Sequence, residues 1–212
     1  MHQQEINMIL KDIFTNLVSK YSQKDVSEKL WLDIEKHYSL PKRYYHTLQH
    51  LENLYIQMES CREQITDLDT VLFSLFYHDI IYKATSKDNE EKSALMAIKA
   101  LQEINYPKEK IRLCGEQILA TKDHTVSTDN DTNLFTDADL SILGSDWNSY
   151  FDYSKQIRKE YSIYPDFMYN PGRIIVIQYF LGMESIFKTP QFTHKFEKQA
   201  RENLMNELEL LK

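Results

Sequence analysis

The chain is poor in the residues that make turns. It has only four glycines and five prolines in 212 residues, too few to punctuate the many short strands of an all-β protein. Cysteine is scarce too. Cys61 and Cys114 are the only two, and the N-terminal segment Met1-His2-Gln3-Gln4-Glu5 lacks the basic and apolar regions of a signal peptide. Two reduced thiols in a cytoplasmic protein are therefore expected. No stretch of about 18 apolar residues occurs, so no membrane-spanning helix is expected. Positive charge is in deficit, with 25 Lys and Arg against 32 Asp and Glu and a net charge of −7. That balance argues against a general binder of nucleic-acid polymers or anionic membranes. It leaves room for a small phosphorylated substrate, because a metal ion can supply the local positive charge.

Helical periodicity runs throughout. Ile6, Ile9, Leu10, Ile13 and Leu17 form one stripe and Val26, Leu30 and Ile34 another. Pro41 marks a break before a helix expected to carry both His46 and His50, with Leu48, Leu51, Leu54, Tyr55 and Met58 on its core face. A helix from about Asp67 is expected to end near Tyr82. Asp88 is expected to cap the next helix, with Glu91 completing a capping box. Pro107 opens a helix running towards His124, Thr125 to Asn133 reads as a loop, and Phe135 to Leu143 reads as a short helix stopped near Gly144. Three longer helices follow, with breaks around Pro165 to Gly172 and at Thr189-Pro190. No repeat, low-complexity tract or linker interrupts the chain. One all-α domain of 212 residues follows, large enough to bury a sizeable core.

The chemistry concentrates in a few places. The apolar run Val71 to Tyr77 ends in His78-Asp79, which brings two metal-ligand types to one buried spot. His46 and His50 are four residues apart, the spacing of one helical face. A divalent metal needs nitrogen and oxygen donors arriving from several directions, and Asp137-Ala138-Asp139-Leu140 offers a further arrival. Carboxylates in such an apolar helix are costly to bury unless paired or bound to a cation. His2, His37 and His194 have no ligand-like neighbour and read as surface or structural residues.

The order His50, His78-Asp79, Asp139 resembles the HD-domain superfamily of metal-dependent phosphohydrolases, and in particular a bacterial branch of predicted HD phosphohydrolases. The resemblance rests on an ordered series: Arg43 to His50 as Arg-x-Tyr-His-x-x-x-His, Tyr77-His78-Asp79, Asp88 to Ala94 as Asp-Asn-Glu-x-x-Ser-Ala, Thr121 to His124, Asp137 to Leu140, Ile157 to Tyr161, and Gly172-Arg173. It runs from about residue 43 to 180 and implies a single-domain HD-type helical bundle with a metal site between helices. It implies His50, His78, Asp79 and Asp139 as metal ligands, with Asp137 the alternative to Asp139. His124 falls where a second metal's histidine sits in many HD proteins. The first histidine of that pair is replaced by Asn89-Glu90-Glu91, in which Glu90 is a carboxylate ligand or a water-positioning base, so one metal is favoured over two. His46 is similar in placement to the proton-donating histidine of the related cyclic-nucleotide phosphodiesterases.

The implied reaction is hydrolysis of a nucleotide or related small phosphoester. The metal, one of Mn, Fe, Ni, Co, Zn or Mg, binds a phosphoryl oxygen and lowers the pKa of a water towards about 7. Asp79 or Glu90 orients that water, and His46 protonates the leaving oxygen. Arg43 and Arg173 are the expected phosphate-binding cations, with Lys122 and Lys83 weaker candidates. Tyr45, Tyr82 and Tyr164 are candidates to stack on a base. Arg158 is expected to pair with a buried acid. The competing readings are a nucleotide- or metal-binding sensor with little catalytic activity, and a purely helical interaction protein. Phe196, Leu204, Leu208 and Leu211 of the last helix fit either a homo-oligomer contact or the chain's own core.

Overall fold

The computed structural model describes residues 2–211, with side chains from Ile6 onwards, so the side chain of His2 lies outside the description. Among the described residues the protein is all-α. Its helices are α1 (His2–Ser19), α2 (Lys24–Tyr38), α3 (Leu48–Ser60), α4 (Leu68–Tyr77), α5 (Asn89–Glu103), α6 (Lys108–Ala120), α7 (Asn130–Leu140), α8 (Trp147–Glu160), α9 (Asp166–Gly182) and α10 (Pro190–Leu210), with short 3-10 turns at Arg62–Gln64 and Ser141–Gly144. The helices gather into two compact units, one up to Thr136 and one from Asp137. The boundary falls inside α7, where no glycine, proline or polar linker marks it in the sequence.

Several boundaries differ from expectation for local reasons. The third helix starts at Leu48, because Thr47 is extended (φ −119°, ψ 179°) and sits at the N-cap, so His46 precedes the helix that carries His50. α4 ends at Tyr77 rather than Tyr82. The expected capping box of α5 does not form: the Asp88 carboxylate is taken by the Ser86 hydroxyl and by Lys92, and Glu91 pairs with Lys122. α7 starts within the expected loop, because the Asp129 carboxylate accepts the Thr132 amide at 2.9 Å and its hydroxyl at 2.5 Å. Pro171 and Gly172 lie inside α9. A proline there costs one backbone hydrogen bond, and the helix continues past it.

The first unit is built around α4. Every residue from Thr70 to Tyr77 is buried, as expected for a helix apolar on all sides. It packs on α3, α5 and α6. Phe76 meets Phe14 edge-on, with ring centroids 4.9 Å apart, and Phe73 meets Tyr106 at 5.0 Å. Fully burying such side chains contributes about 1.5–3 kcal/mol each. Its polar residues are matched: Ser74 Oγ donates to Gln117 Oε1 at 2.6 Å, and the hydroxyls of Thr70 and Tyr106 meet at 2.8 Å. The start of α4 is also tied to α7, because the buried Asp131 carboxylate accepts the backbone amides of Thr66 and Asp67 at 2.9 and 2.7 Å. Both cysteines are buried, and burial pushes the Cys114 thiol up to about 12, so it is no nucleophile.

In the second unit α10 packs on the 3-10 turn, α8 and α9. Phe187, Phe192 and Phe196 stack in series. Phe196 and Leu204 are buried and so belong to this unit's own core. Asn203 donates to the carbonyls of Leu143 and Ser145, both at 2.8 Å. Gly144 is needed here for close approach, since a Cβ would lie 2.5 Å from Phe196 Cβ and 2.6 Å from its carbonyl oxygen. Backbone on both sides leaves nothing flexible to yield. Gly144→Ala is therefore expected to lower unfolding free energy by about 1–3 kcal/mol in a urea titration, the usual cost of overpacking.

Candidate metal centre

His78 is set by the end of α4. Its amide donates to Ser74 O at 2.9 Å, and its ring Nδ1–H donates to Leu75 O at 2.9 Å. A carbonyl only accepts, so the proton is on Nδ1 and Nε2 presents a lone pair. His50, in the first turn of α3, places its Nδ1 3.1 Å from the Tyr45 hydroxyl and its Nε2 3.0 Å from His78 Nε2. Asp79 Oδ2 lies 3.1 Å from His78 Nε2, 3.8 Å from His50 Nε2 and 3.7 Å from His46 Nε2. Burial alone would raise the Asp79 pKa, but His78, His46 and His50 outweigh it and hold the carboxyl well below the usual carboxylate range. The donor set fits a metal ion. Two imidazoles bound about 2.05 Å from one ion at adjacent coordination positions have nitrogens roughly 2.9–3.4 Å apart.

The loop before α3 is fastened by Arg43. Its guanidinium donates to the carbonyls of His46 at 3.1 Å, Asp79 at 2.8 Å and Ile80 at 2.8 Å, and lies 5.0 Å over the Tyr38 ring. Arg43 is thus turned inward, tying the His46 loop to the turn after α4, rather than offering its fork to a phosphate. His46 stacks on Tyr82 with centroids 3.9 Å apart at 26°, so Tyr82, one of three candidates to stack on a base, supports an imidazole. The His46 side chain keeps 15% exposure against 4% for His50 and 1% for His78. It is the imidazole a ligand can reach.

Other expected site residues divide clearly. Glu90, in the first turn of α5, is half-buried; burial first and the Asp79 charge second raise its pKa. Lys122 is committed to Glu91 and to the Lys87 carbonyl. Lys83 is exposed, in a loop closed by Asn89, which accepts the Lys83 amide and donates to its carbonyl. His124 follows α6 in a left-handed conformation, φ 53°, and is half-buried. In the second unit Arg173 is buried and forked onto Glu207 through two hydrogen bonds of 2.8 Å, with the Tyr150 hydroxyl on the same carboxylate. A phosphate-binding role for Arg173 is therefore replaced by a buried ion pair. Arg158 pairs instead with the exposed Asp166 and with the carbonyls of Tyr161 and Tyr164.

The two aspartates of α7 have different fates. The Asp137 carboxylate accepts the backbone amides of Lys188 and Thr189 at 2.9 and 2.7 Å and the Thr189 hydroxyl at 2.7 Å, with Lys188 Nζ at 3.3 Å. It anchors the start of α10. Asp139 is half-buried in the last turn of α7, four residues beyond Phe135, whose ring meets His78 edge-on at 5.7 Å. The described residues include a histidine and aspartate group that could hold a metal ion, and its two histidines are His50 and His78. Sequence reasoning missed Tyr45 as the partner of His50 and Glu207 as the partner of Arg173. The first could have been sought five residues upstream of the ligand; the second lies 34 residues away with no local signal.

No family model, curated protein or solved structure matches the chain.

Two outcomes follow from these placements. Removing the Asp137 carboxylate leaves the backbone amides of Lys188 and Thr189 without their acceptor, so Asp137→Ala is expected to cost about 1–3 kcal/mol in chemical denaturation, with metal content per folded molecule unchanged. For Glu90 a raised pKa means that ionisation is disfavoured in the folded state, so its cost grows as pH rises from the unfolded value through the folded one. Glu90→Gln is expected to raise the melting temperature of the metal-free protein at pH 7. The gain should vanish below about pH 4, where the carboxyl is protonated in both states.

Proposed function

We propose that the chain is a metal-dependent phosphohydrolase of HD type, acting on a nucleotide or related small phosphoester. One observation carries the reading: His46, His50 and His78 all direct Nε2 at the Asp79 carboxylate, with two of those nitrogens 3.0 Å apart in a buried site. In this proposal His50, His78 and Asp79 hold a divalent transition metal, with Asp139 the further carboxylate that the family resemblance implies. Asp139 is preferred to Asp137 because the latter is already spent on the start of α10.

A bound divalent ion would supply a Lewis acid for a phosphoryl oxygen and lower the pKa of a water. The protein residues have separate tasks. Glu90, with a raised pKa beside Asp79, suits a base that takes a proton from the attacking water. His46, the most exposed of the three imidazoles and held by Tyr82, is the donor to the leaving oxygen. Arg43 acts through the backbone it holds. With Arg43 and Arg173 both engaged inside the protein, the charge of the substrate phosphate falls to the metal.

The test combines elemental analysis with turnover. The purified protein should carry a transition metal, His78→Ala should lose it, and His46→Ala should keep it. When loaded with Mn, Co, Ni or Zn, the parent should hydrolyse some member of a panel of monoesters, cyclic diesters and pyrophosphates, and His46→Ala should lower kcat about 100- to 10,000-fold. Tight nucleotide binding with no turnover by any metal-loaded form would make the protein a sensor instead.

A further inference from the structure

The helix left least covered is α9. It buries only Tyr169, Arg173 and Ile177, a stripe one residue wide. On the opposite side Met168, Ile175 and Tyr179 are 53%, 67% and 47% exposed, and Gly172 stands between them with nothing within 4 Å of the position a Cβ would take. Phe167 at 77% and Val176 at 43% flank them, and Ile163 at 69% extends the patch beyond the start of the helix. From Phe167 to Gly182 the only charged side chain is Arg173, and that one is turned inward onto Glu207. A surface helix normally carries its charge on the outward face. This one reverses the pattern.

We propose that the protein forms a two-fold dimer in which α9 of one copy packs antiparallel on α9 of another. The spacing names the partner. Met168, Gly172, Ile175 and Tyr179 are separated by four, three and four residues, the repeat of a helix–helix seam. That repeat reads the same in both directions. An antiparallel copy therefore sets Met168 against the partner's Tyr179 and Gly172 against the partner's Ile175, so a large side chain meets an open position on both sides of the axis. Charge supports the same occupant. Two copies each carrying −7 repel where their charged faces meet, and this seam presents none. The size is also adequate: the six apolar side chains expose roughly 700–800 Å² per copy, near the about 800 Å² per partner of a stable interface and beyond the patch a monomer usually leaves bare. On the last helix Phe196 and Leu204 are buried in their own unit.

The test is sedimentation velocity on the full chain across the micromolar range. The expected species has twice the 25.3 kDa chain mass. Ile175→Glu and Gly172→Arg both alter exposed positions, so each should yield a monomer with unchanged far-ultraviolet circular dichroism. Gly172→Ala, a small addition into open space, should fold at least as stably as the parent by removing a helical glycine. A parent chain that stays monomeric at all concentrations overturns the proposal. So does a dimer that survives both Ile175→Glu and Gly172→Arg.

Discussion

Two imidazole nitrogens 3.0 Å apart in a buried site are the constraint on which the arrangement turns. His78 spends its ring proton on the Leu75 carbonyl, so its Nε2 brings a lone pair and no hydrogen. His50 must then either place a proton between the two nitrogens or share a cation with its neighbour. Asp79, kept ionised by the histidines around it, favours positive charge at the same point. Either occupant satisfies the pair: the ring proton of a neutral His50, placed on Nε2, or a metal ion shared by both nitrogens. The Tyr45 hydroxyl, able to donate or accept at His50 Nδ1, is compatible with both states.

The fold delivers this geometry through helix ends. α4 is apolar on every side and lies enclosed by α3, α5 and α6, so whatever follows its last turn emerges at depth. α3 starts after an extended Thr47, which leaves His50 in its first turn and His46 on the approaching loop. Arg43 then fastens that loop to the turn carrying Asp79. Placing three imidazoles around one carboxylate thus takes two helix termini and one buried guanidinium. The same inward use of cations recurs at Arg173, where a motif arginine satisfies Glu207 instead of facing a ligand.

Much of this was legible in the sequence, and the failures share a cause. Helix stripes such as Ile6, Leu10 and Leu17, and the long apolar run into His78, predict elements because periodicity is a local property. His50 and His78-Asp79 stood out because a ligand type at the end of an apolar run is locally anomalous. The role of an arginine is not local. Arg43 and Arg173 look alike in sequence, as cations beside apolar segments, and only the carbonyls and the carboxylate they meet show that neither is offered to solvent. The choice between Asp137 and Asp139 had the same character, because the amides that consume Asp137 belong to Lys188 and Thr189, some fifty residues on. The helix start at Leu48 was missed for a smaller reason. An i, i+4 histidine pair reads as helical whether or not its first member lies ahead of the N-cap.

The central claim is that His50 and His78 are joint ligands of one divalent ion. X-ray absorption spectroscopy at the edge of whatever transition metal the purified protein carries, or of added Co(II) or Zn(II), tests it most directly. The account predicts a first shell of nitrogen and oxygen at about 2.0–2.2 Å with the outer-shell scattering of two imidazoles, lost in His50→Ala. A protein that takes up no metal from any of these ions, or whose bound metal shows no imidazole scattering, would contradict it.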